Sequence, residues 1–440
     1  MKRGTLSRLV DCLSAAVEKL PARPEHSASS YTNKDAVNSA FSAFFFQFPS
    51  FLRYMREMQE LEKRDNVQSL FDVKAIPCDN QIRNIADGID PAAISPVFNG
   101  ALKAAEISGV VKEYRTFYGG VLMALDGLWH FGSEKLGCPH CLTKKTADKK
   151  GREYTMNYHA AVVGAIVKPG SNRVLPVAPE MIRNEDGQEK QDCELNAVKR
   201  WLEKHGEEYA WLNPTLLGDD LYSKRPFCEA VSAKGWGFIF TCRDESHKWL
   251  SETVRNSPVR EISEVKWDPR KKKRVVHTWK YVNGVPIRYD EKNPFLVNWL
   301  SYEARAEGAS KPSYRNSWVT NKPVTEHNVA YVAECGRARW KIENEHNNVL
   351  KNRGYNLTHN FGHGKKHAAD VFFLLNLLAL QFHTILEYCD EEYRLTYTTF
   401  SVRIAFFEAL RVLIRRRYFG SWEEFLRYVR GKDEDACGGG

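Results

Sequence analysis

The sequence predicts an α/β protein with helical regions before and after its sheet, and three observations predict it. Between residues 116 and 245 the apolar segments run strand, strand, strand, helix, strand, helix, strand. Residues 246–319 then read as an all-β insertion, rich in Val, Tyr and Trp (Trp249, Trp267, Trp279, Trp299). Residues 1–115, and the chain from about 320 onward, carry helical spacing instead. The expected units are therefore 1–115 (helical), 116–245 (core, first part), 246–319 (β insertion), 320–390 (core, second part) and 391–440 (helical).

In chain order, PARPEHSASS (21–30) reads as a linker, and a helical stretch from about 34 to 62 is divided at Phe48-Pro49, because proline breaks a helix interior. Asp79 in IPCDNQIRNI is expected as a helix N-cap. FYGGVLMALDGLWHF (117–131) holds an apolar run ending on Asp126; EYTMNYHAAVVGAIV (153–167) and NRVLPVAPEMI (172–182) are the next strands. The helix in EKQDCELNAVKRWLEKHG has Leu195, Val198 and Leu202 on one side and Gly206 as its stop. NPTLLGDD (213–220) is a strand ending on carboxylates, KRPFCEAVSAKG (224–235) a helix, and WGFIFTCR (236–243) the fifth strand. In the insertion, Asn283-Gly284 is a hairpin signal. A helix containing Glu343 is expected to start near Thr325–Asn328.

Composition narrows the function classes. A net charge of +9 and a pI near 8.9 suit a polyanionic partner. Arg8, Asp11 and Glu18 interrupt any apolar signal-peptide core. The most apolar run, Val371–Phe382, contains Asn376 and Gln381 and falls short of the roughly 20 residues a membrane span needs, so it reads as a core helix. Ten Cys scattered through a large chain without a secretory signal read as reduced thiols in a cytoplasmic protein.

Three acidic positions stand out: Asp126 after the first strand, Asp219 or Asp220 after the fourth, and Glu343 in the later helix. Alone, an Asp after a strand is ordinarily a turn residue or a cap. Together, carboxylates from separate elements are what two Mg²⁺ ions need in order to activate water and stabilise a leaving oxygen. In RARWKIENEHNNVLK (337–351), Arg339, Glu343, Asn347 and Lys351 recur at i, i+4 and form a slowly drifting stripe, with Ile342 and Val349 toward the core. Such a stripe is either a surface ion-pair ladder or a metal ligand flanked by phosphate-binding groups.

Cys138-Pro-His-Cys141 is half of a zinc site, whose other ligands would come from His140, His159 or His130; a reduced, unliganded pair in a turn is the commoner outcome for one CxxC. The segment NFGHGKK (360–366) offers backbone N–H groups, Lys365 and Lys366 to a DNA phosphate, while its glycines break helical spacing between His359, His363 and His367. RKKKR (270–274) and Arg415–Arg417 are further basic clusters.

The segments LLGDDLYSKRPFCE, KQDCELNAVKRWL and ARWKIENEHNNVLKNRGYNLTHNFGHGK, within a resembling stretch of roughly 80–390, are similar to bacterial insertion-sequence DDE transposases, specifically the insertion-sequence-four-like group. The resemblance implies an RNase H-like core, a mixed five-stranded sheet with flanking helices, interrupted by a β-strand domain before the catalytic glutamate. It implies Asp126, Asp219 and Glu343 as catalytic, metal-binding acids, with two Mg²⁺ (or Mn²⁺) ions as cofactor. Asp219-Asp220-Leu221-Tyr222 fits the group's acid, two residues, aromatic, with a one-residue slip to Asp220 left open. Arg339, Asn347, Lys351, Lys365 and Lys366 become candidate DNA contacts. Where the group's helix has Tyr and Lys, this chain has Gly336 and Leu350, with Lys351 one residue late. The implied partners are transposon terminal inverted repeats and target DNA, bound by a homodimer whose front helices recognise the ends, in the bacterial cytoplasm at the nucleoid and away from any membrane. A second reading, from another class, is a transposase-derived DNA-binding protein without catalysis.

Overall fold

The computed structural model describes residues 4–23, 31–59, 65–183, 192–270, 272–290 and 292–432. Part of the expected linker (24–30), the end of the first helical stretch (60–62) and Lys271 of the RKKKR run lie outside these. Six helices come first: α1 (Thr5–Glu18), α2 (Asn33–Phe45), α3 (Phe51–Met58), α4 (Asn66–Phe71), α5 (Asp79–Asp87) and α6 (Pro96–Ile107). α2 starts on a capping box, in which the Thr32 side chain accepts from Asp35 N–H and the Asp35 carboxylate accepts from Thr32 N–H. Its chain leaves the helix before Pro49, and α3 starts after the Ser50 cap, so the division at Phe48-Pro49 holds. Asp79 is the first residue of α5 and not its cap; Cys78 takes that position, and Asp79 pairs with Arg83 at 2.8 Å.

Beyond them come β1 (Leu122–Ser133), β2 (Leu142–Ala147), β3 (Glu153–Val167), β4 (Leu175–Ile182), α7 (Glu194–His205), β5 (Thr215–Gly218), α8 (Arg225–Ala233), β6 (Gly237–Thr241), α9 (Lys248–Arg255), β7 (Arg260–Asp268), β8 (Lys273–Pro286), β9 (Leu296–Ala306) and β10 (Tyr314–Thr320). The molecule is α/β, with a mixed ten-stranded sheet. One run of it is ordered β4-β3-β1-β5-β6, in which β1, β5 and β6 are parallel and β3 is antiparallel to both its neighbours. β2 extends the outer edge of β3 beyond β4. Sequence pattern does not reveal β2, whose LTKKTA has one buried apolar residue and looks like a loop.

A five-stranded sheet with a separate β unit is not what forms. β10 pairs antiparallel with β6 and carries the ladder on through β9, β8 and β7, so residues 260–320 extend the same sheet. Asn283-Gly284 is not a hairpin turn either. It lies inside β8 at a register shift between Val282 and Val285, with Gly284 at φ +70°. The positive φ that would serve a turn serves a bulge here, where Asn283 bonds the backbone of Val324 and Gly284 N–H bonds Asn298.

The chain then forms α10 (Val329–Arg337), an irregular helical stretch, α11 (Asn348–Asn352), α12 (Ala368–Cys389), α13 (Glu391–Thr398), α14 (Arg403–Leu413) and α15 (Trp422–Val429). α12 is apolar and long enough to cross a membrane, but every residue of its apolar window is buried, as expected of a core helix. Its two polar interruptions have backbone partners: Asn376 donates to Tyr355 O and Gln381 to Phe98 O and Pro176 O. The rings of Phe41 and Phe45 on α2 meet Phe382 and His383 of α12 at 5.0 and 4.3 Å. The front helices thus share one core with the tail. Arg415 and Arg417 are held in ion pairs with Glu57 and Glu424.

Candidate active site

Asp126 sits in the interior of β1, not at its end. β5 has four residues and pairs with β1 only at Leu122–Ala124, so beyond Ala124 that edge of β1 has no partner in β5. Asp126 stands just past the last pair, and the chain leaving β5 turns at Asp219, whose charge bears on it. The neighbouring acid goes elsewhere: Asp220 accepts the N–H of Arg243 at 2.7 Å and lies 3.6 Å from His247 Nε2. Asp219 is therefore the one of the two that joins Asp126.

The acid, two residues, aromatic spacing acquires a physical reason. Asp219 Oδ1 accepts Leu221 N–H at 2.8 Å, closing a turn. Tyr222 folds back under Gly218, where a Cβ would sit 2.5 to 3.0 Å from its ring and side chain. The Tyr222 hydroxyl then donates to Glu194 Oε1 at 2.5 Å. Glu194, in the first turn of α7, is a fourth acid that sequence reasoning missed. It reaches under Gly127, where any side chain would collide with its carboxylate, and Gly127 N–H bonds it. An acid opening a helix reads as macrodipole compensation, which hid it; the nearest signal was Gly127 directly after Asp126.

Glu343 arrives on a helix of uneven winding. After α10 the chain makes a 3₁₀ turn (Ala338–Trp340) and then a π segment (Ile342–Asn347) before α11. A π segment takes an extra residue per hydrogen-bonded turn and rotates the residues beyond it about the helix axis, so the regular stripe expected from i, i+4 spacing is not kept. Arg339 still reaches Glu343, Nη2 to Oε1 at 2.6 Å. Asn347 turns inward, 8% exposed, and donates to Asp126 Oδ2 at 3.1 Å. Its amide is engaged there and not held out toward a duplex. Lys351 lines a different pocket, with Arg53 and Arg411. The core face is Ile342, His346 and Leu350, with Val349 only half-buried.

The two departures from the group's helix are packing positions. A Cβ on Gly336 would stand 2.7–2.9 Å from the Trp318 indole, and Leu350 is fully buried. A tyrosine cannot enter at Gly336 while Trp318 keeps its place.

Burial is the largest influence on the Asp126 carboxyl, which is pushed up to about 7; Glu194, Glu343 and Asp219 add to the rise and Arg339 opposes it. Glu194 is raised by burial and by Asp219, against its bonds to Tyr222 and Gly127. Three further carboxylates and one guanidinium thus act on Asp126 through their charge, although the acids' oxygens do not converge to within 4.8 Å as a group among the described residues. An all-oxygen donor set of this kind fits a hard divalent cation such as Mg²⁺ or Mn²⁺.

The NFGHGKK segment is tied down in a way its sequence hides. Asp87 of α5 accepts the backbone N–H groups of Lys365, Lys366, His367 and Ala368, and Arg83 donates to Phe361 O. Those N–H groups are thus not offered to a phosphate, whereas the Lys365 and Lys366 side chains are exposed. Cys138 and Cys141 meet His159 and His363, while His140 stacks on His367 and His130 on Phe373. RKKKR spans the turn after β7 and the first two residues of β8, Lys273 and Arg274, where Arg274 lies 3.7 Å from Glu307. No protein-family model matches the chain, and no curated protein is significantly similar to it.

Proposed function

We propose that this chain is a DDE-type DNA transposase with an RNase H-like core, which binds the terminal inverted repeats of a mobile element, cleaves DNA at its ends and joins the freed 3′-OH to target DNA. The observation that supports the reading is that Asp219, at the end of the strand parallel to β1, and Glu343, on a helix after β10, both bear by their charge on Asp126 of the central strand. The strand order β4-β3-β1-β5-β6, with only β3 reversed between its neighbours, supports it. So does the interruption between β6 and α10 by further strands.

In this reading Asp126, Asp219 and Glu343 hold two Mg²⁺ or Mn²⁺ ions. When bound, the ions supply charge stabilisation of the phosphoryl oxygens and a water that ionises near neutral pH. Asn347 fixes the rotamer of Asp126 through its amide. Glu194 adds negative charge beside Asp126 and is itself held by Tyr222. Arg339, paired with Glu343 here, is the cation that can exchange that carboxylate for a DNA phosphate. Lys365 and Lys366 meet the backbone as point charges.

The test is cleavage of linear DNA carrying the element's own ends by purified protein, in Mg²⁺ or in EDTA, beside Glu343→Ala. Mg²⁺-dependent 3′-end nicking that the variant loses is expected. Full cleavage by the variant overturns the site. End binding without nicking in the wild type favours a transposase-derived DNA-binding protein.

A further inference from the structure

A second cluster lies apart from the proposed catalytic acids, and nothing in the proposed reaction uses it. Cys138 and Cys141, in the link between β1 and β2, point their thiols at His159 of β3 and at His363 of the segment between α11 and α12. Cys138 Sγ is 3.9 Å from Cys141 Sγ and 3.4 Å from His159 Nε2. Cys141 Sγ is 3.4 Å from His363 Nε2, and the two Nε2 atoms are 3.2 Å apart. Cys141, His159 and His363 are buried.

These four separations match four of the six edges of a tetrahedron, and all four ligand atoms lie within 4.8 Å of one another. With zinc bonds of about 2.3 Å to sulfur and about 2.05 Å to nitrogen, a tetrahedral site has edges of about 3.8 Å (S to S), about 3.6 Å (S to N) and about 3.3 Å (N to N). Each observed distance is close to its counterpart.

The surroundings make the same demand. His159 Nδ1 is 2.9 Å from Asp370 Oδ1, and His363 Nδ1 is 2.9 Å from Gly364 O. Each acceptor calls for a proton on Nδ1, which leaves both Nε2 lone pairs facing one another. A carboxylate or carbonyl behind the imidazole is the usual support of a metal-bound histidine. Cys138 N–H points at Cys141 Sγ, 3.4 Å away, as suits a thiolate. Phe131 covers the cluster on one side, its ring 4.4 Å from that of His363.

We propose that Cys138, Cys141, His159 and His363 form a closed, four-coordinate structural zinc site, which fastens the segment after the Glu343 helix to the sheet. Four protein ligands leave no open position, so the ion takes no part in chemistry. The ligands come from three separate parts of the chain, so the site forms with the fold and closes it. Paired thiol–imidazole hydrogen bonds, or a disulfide between the two Cys, are the competing accounts.

The test reads metal and not cleavage, so it stands apart from the transposase reading. Full-length protein purified without chelator is assayed for zinc by mass spectrometry. An equimolar amount is expected, lost in Cys138→Ser and in His363→Asn but kept in His140→Ala and Glu343→Ala. Replacing zinc with Co²⁺ in the wild type should give the intense visible bands of a tetrahedral thiolate site, a readout that no variant's misfolding can obscure. Stripping the ion with a strong chelator should lower the melting temperature and expose residues 353–367 to protease. Reduced wild-type protein that contains no zinc and gives no tetrahedral Co²⁺ spectrum overturns the proposal. If that protein instead forms a Cys138–Cys141 disulfide under mild oxidation, the pair is a redox couple.

Discussion

Asp126 and Asp370 are both carboxylates withdrawn from water, and the protein treats them oppositely. Asp370, at the start of α12, is fully buried yet well supplied: Arg183 Nη2 is 2.6 Å away and His159 Nδ1 2.9 Å, with His130 Nε2 at 3.6 Å. Burial alone would raise its carboxyl, but His159, His130 and Arg183 hold it below the usual range. Asp126 has an amide and one guanidinium against three further acids, and it rises to about 7. The fold completes the charge balance of Asp370 from its own side chains and leaves that of Asp126 incomplete. Such an imbalance is the mark of a site, whereas a satisfied buried ion pair is ordinarily structure.

The largest expected effect comes from neutralising Asp126. Asp126→Asn should reduce end cleavage to background, while in EDTA at pH 8 it should melt higher than the wild type. The sign follows from the carboxyl: its folded value lies above its unfolded one near 3.8, so the native state binds more protons between pH 4 and 7 and stability falls as pH rises through that window. The shift of about three units corresponds to at most about 4 kcal/mol, and less after solvent screening. A wild-type protein in EDTA whose melting temperature does not respond to Asp126→Asn at pH 8 would break the comparison from one side.

Asp370→Asn tests the other side. Removing that charge takes a fully buried acceptor from both Arg183 and His159 and should destabilise the fold by about 3–5 kcal/mol, read from urea unfolding at pH 7. A neutral outcome would mean that Asp370 is no better satisfied than Asp126. Asn347→Ala sharpens the contrast. It should lower cleavage by about 10–100-fold and raise the Mg²⁺ concentration needed, with little change in DNA affinity, because the amide acts on Asp126 and not on DNA. The smallest effect is expected from Lys365→Ala with Lys366→Ala, which should weaken DNA binding for all sequences alike and flatten its salt dependence by about one unit for each lysine–phosphate pair removed.

Much of the fold is legible in the sequence because it is local. β3 spans the expected residues 153–167, Gly206 ends α7, and the break at Phe48-Pro49 stands, since periodicity, caps and proline act within a few residues. The acids Asp126, Asp219 and Glu343 stand out without any geometry, and Val371–Phe382 reads as core despite its length of apolar text. The expectations that fail are set by neighbours far along the chain. Asn283-Gly284 becomes a bulge because β9 and Val324 take up its backbone and amide. The i, i+4 stripe is broken by a π segment that the sequence pattern does not announce.

The sequence by itself determined most of the segments that are strand or helix, though not β2 or α9, and which acids are candidates, because hydrophobic period and side-chain chemistry are properties of the residues. Only the tertiary structure decided that Asp220 turns to Arg243 and His247 while the charges of Asp219 and Glu194 bear on Asp126, that Asn347 holds Asp126, and that His363 and not His140 meets the cysteines. Each of those choices depends on which way a side chain leaves its turn and what it meets there. The residues it meets are brought close by the pairing of β1 with β5 and by the packing of α12, contacts that span long stretches of chain and leave no local trace.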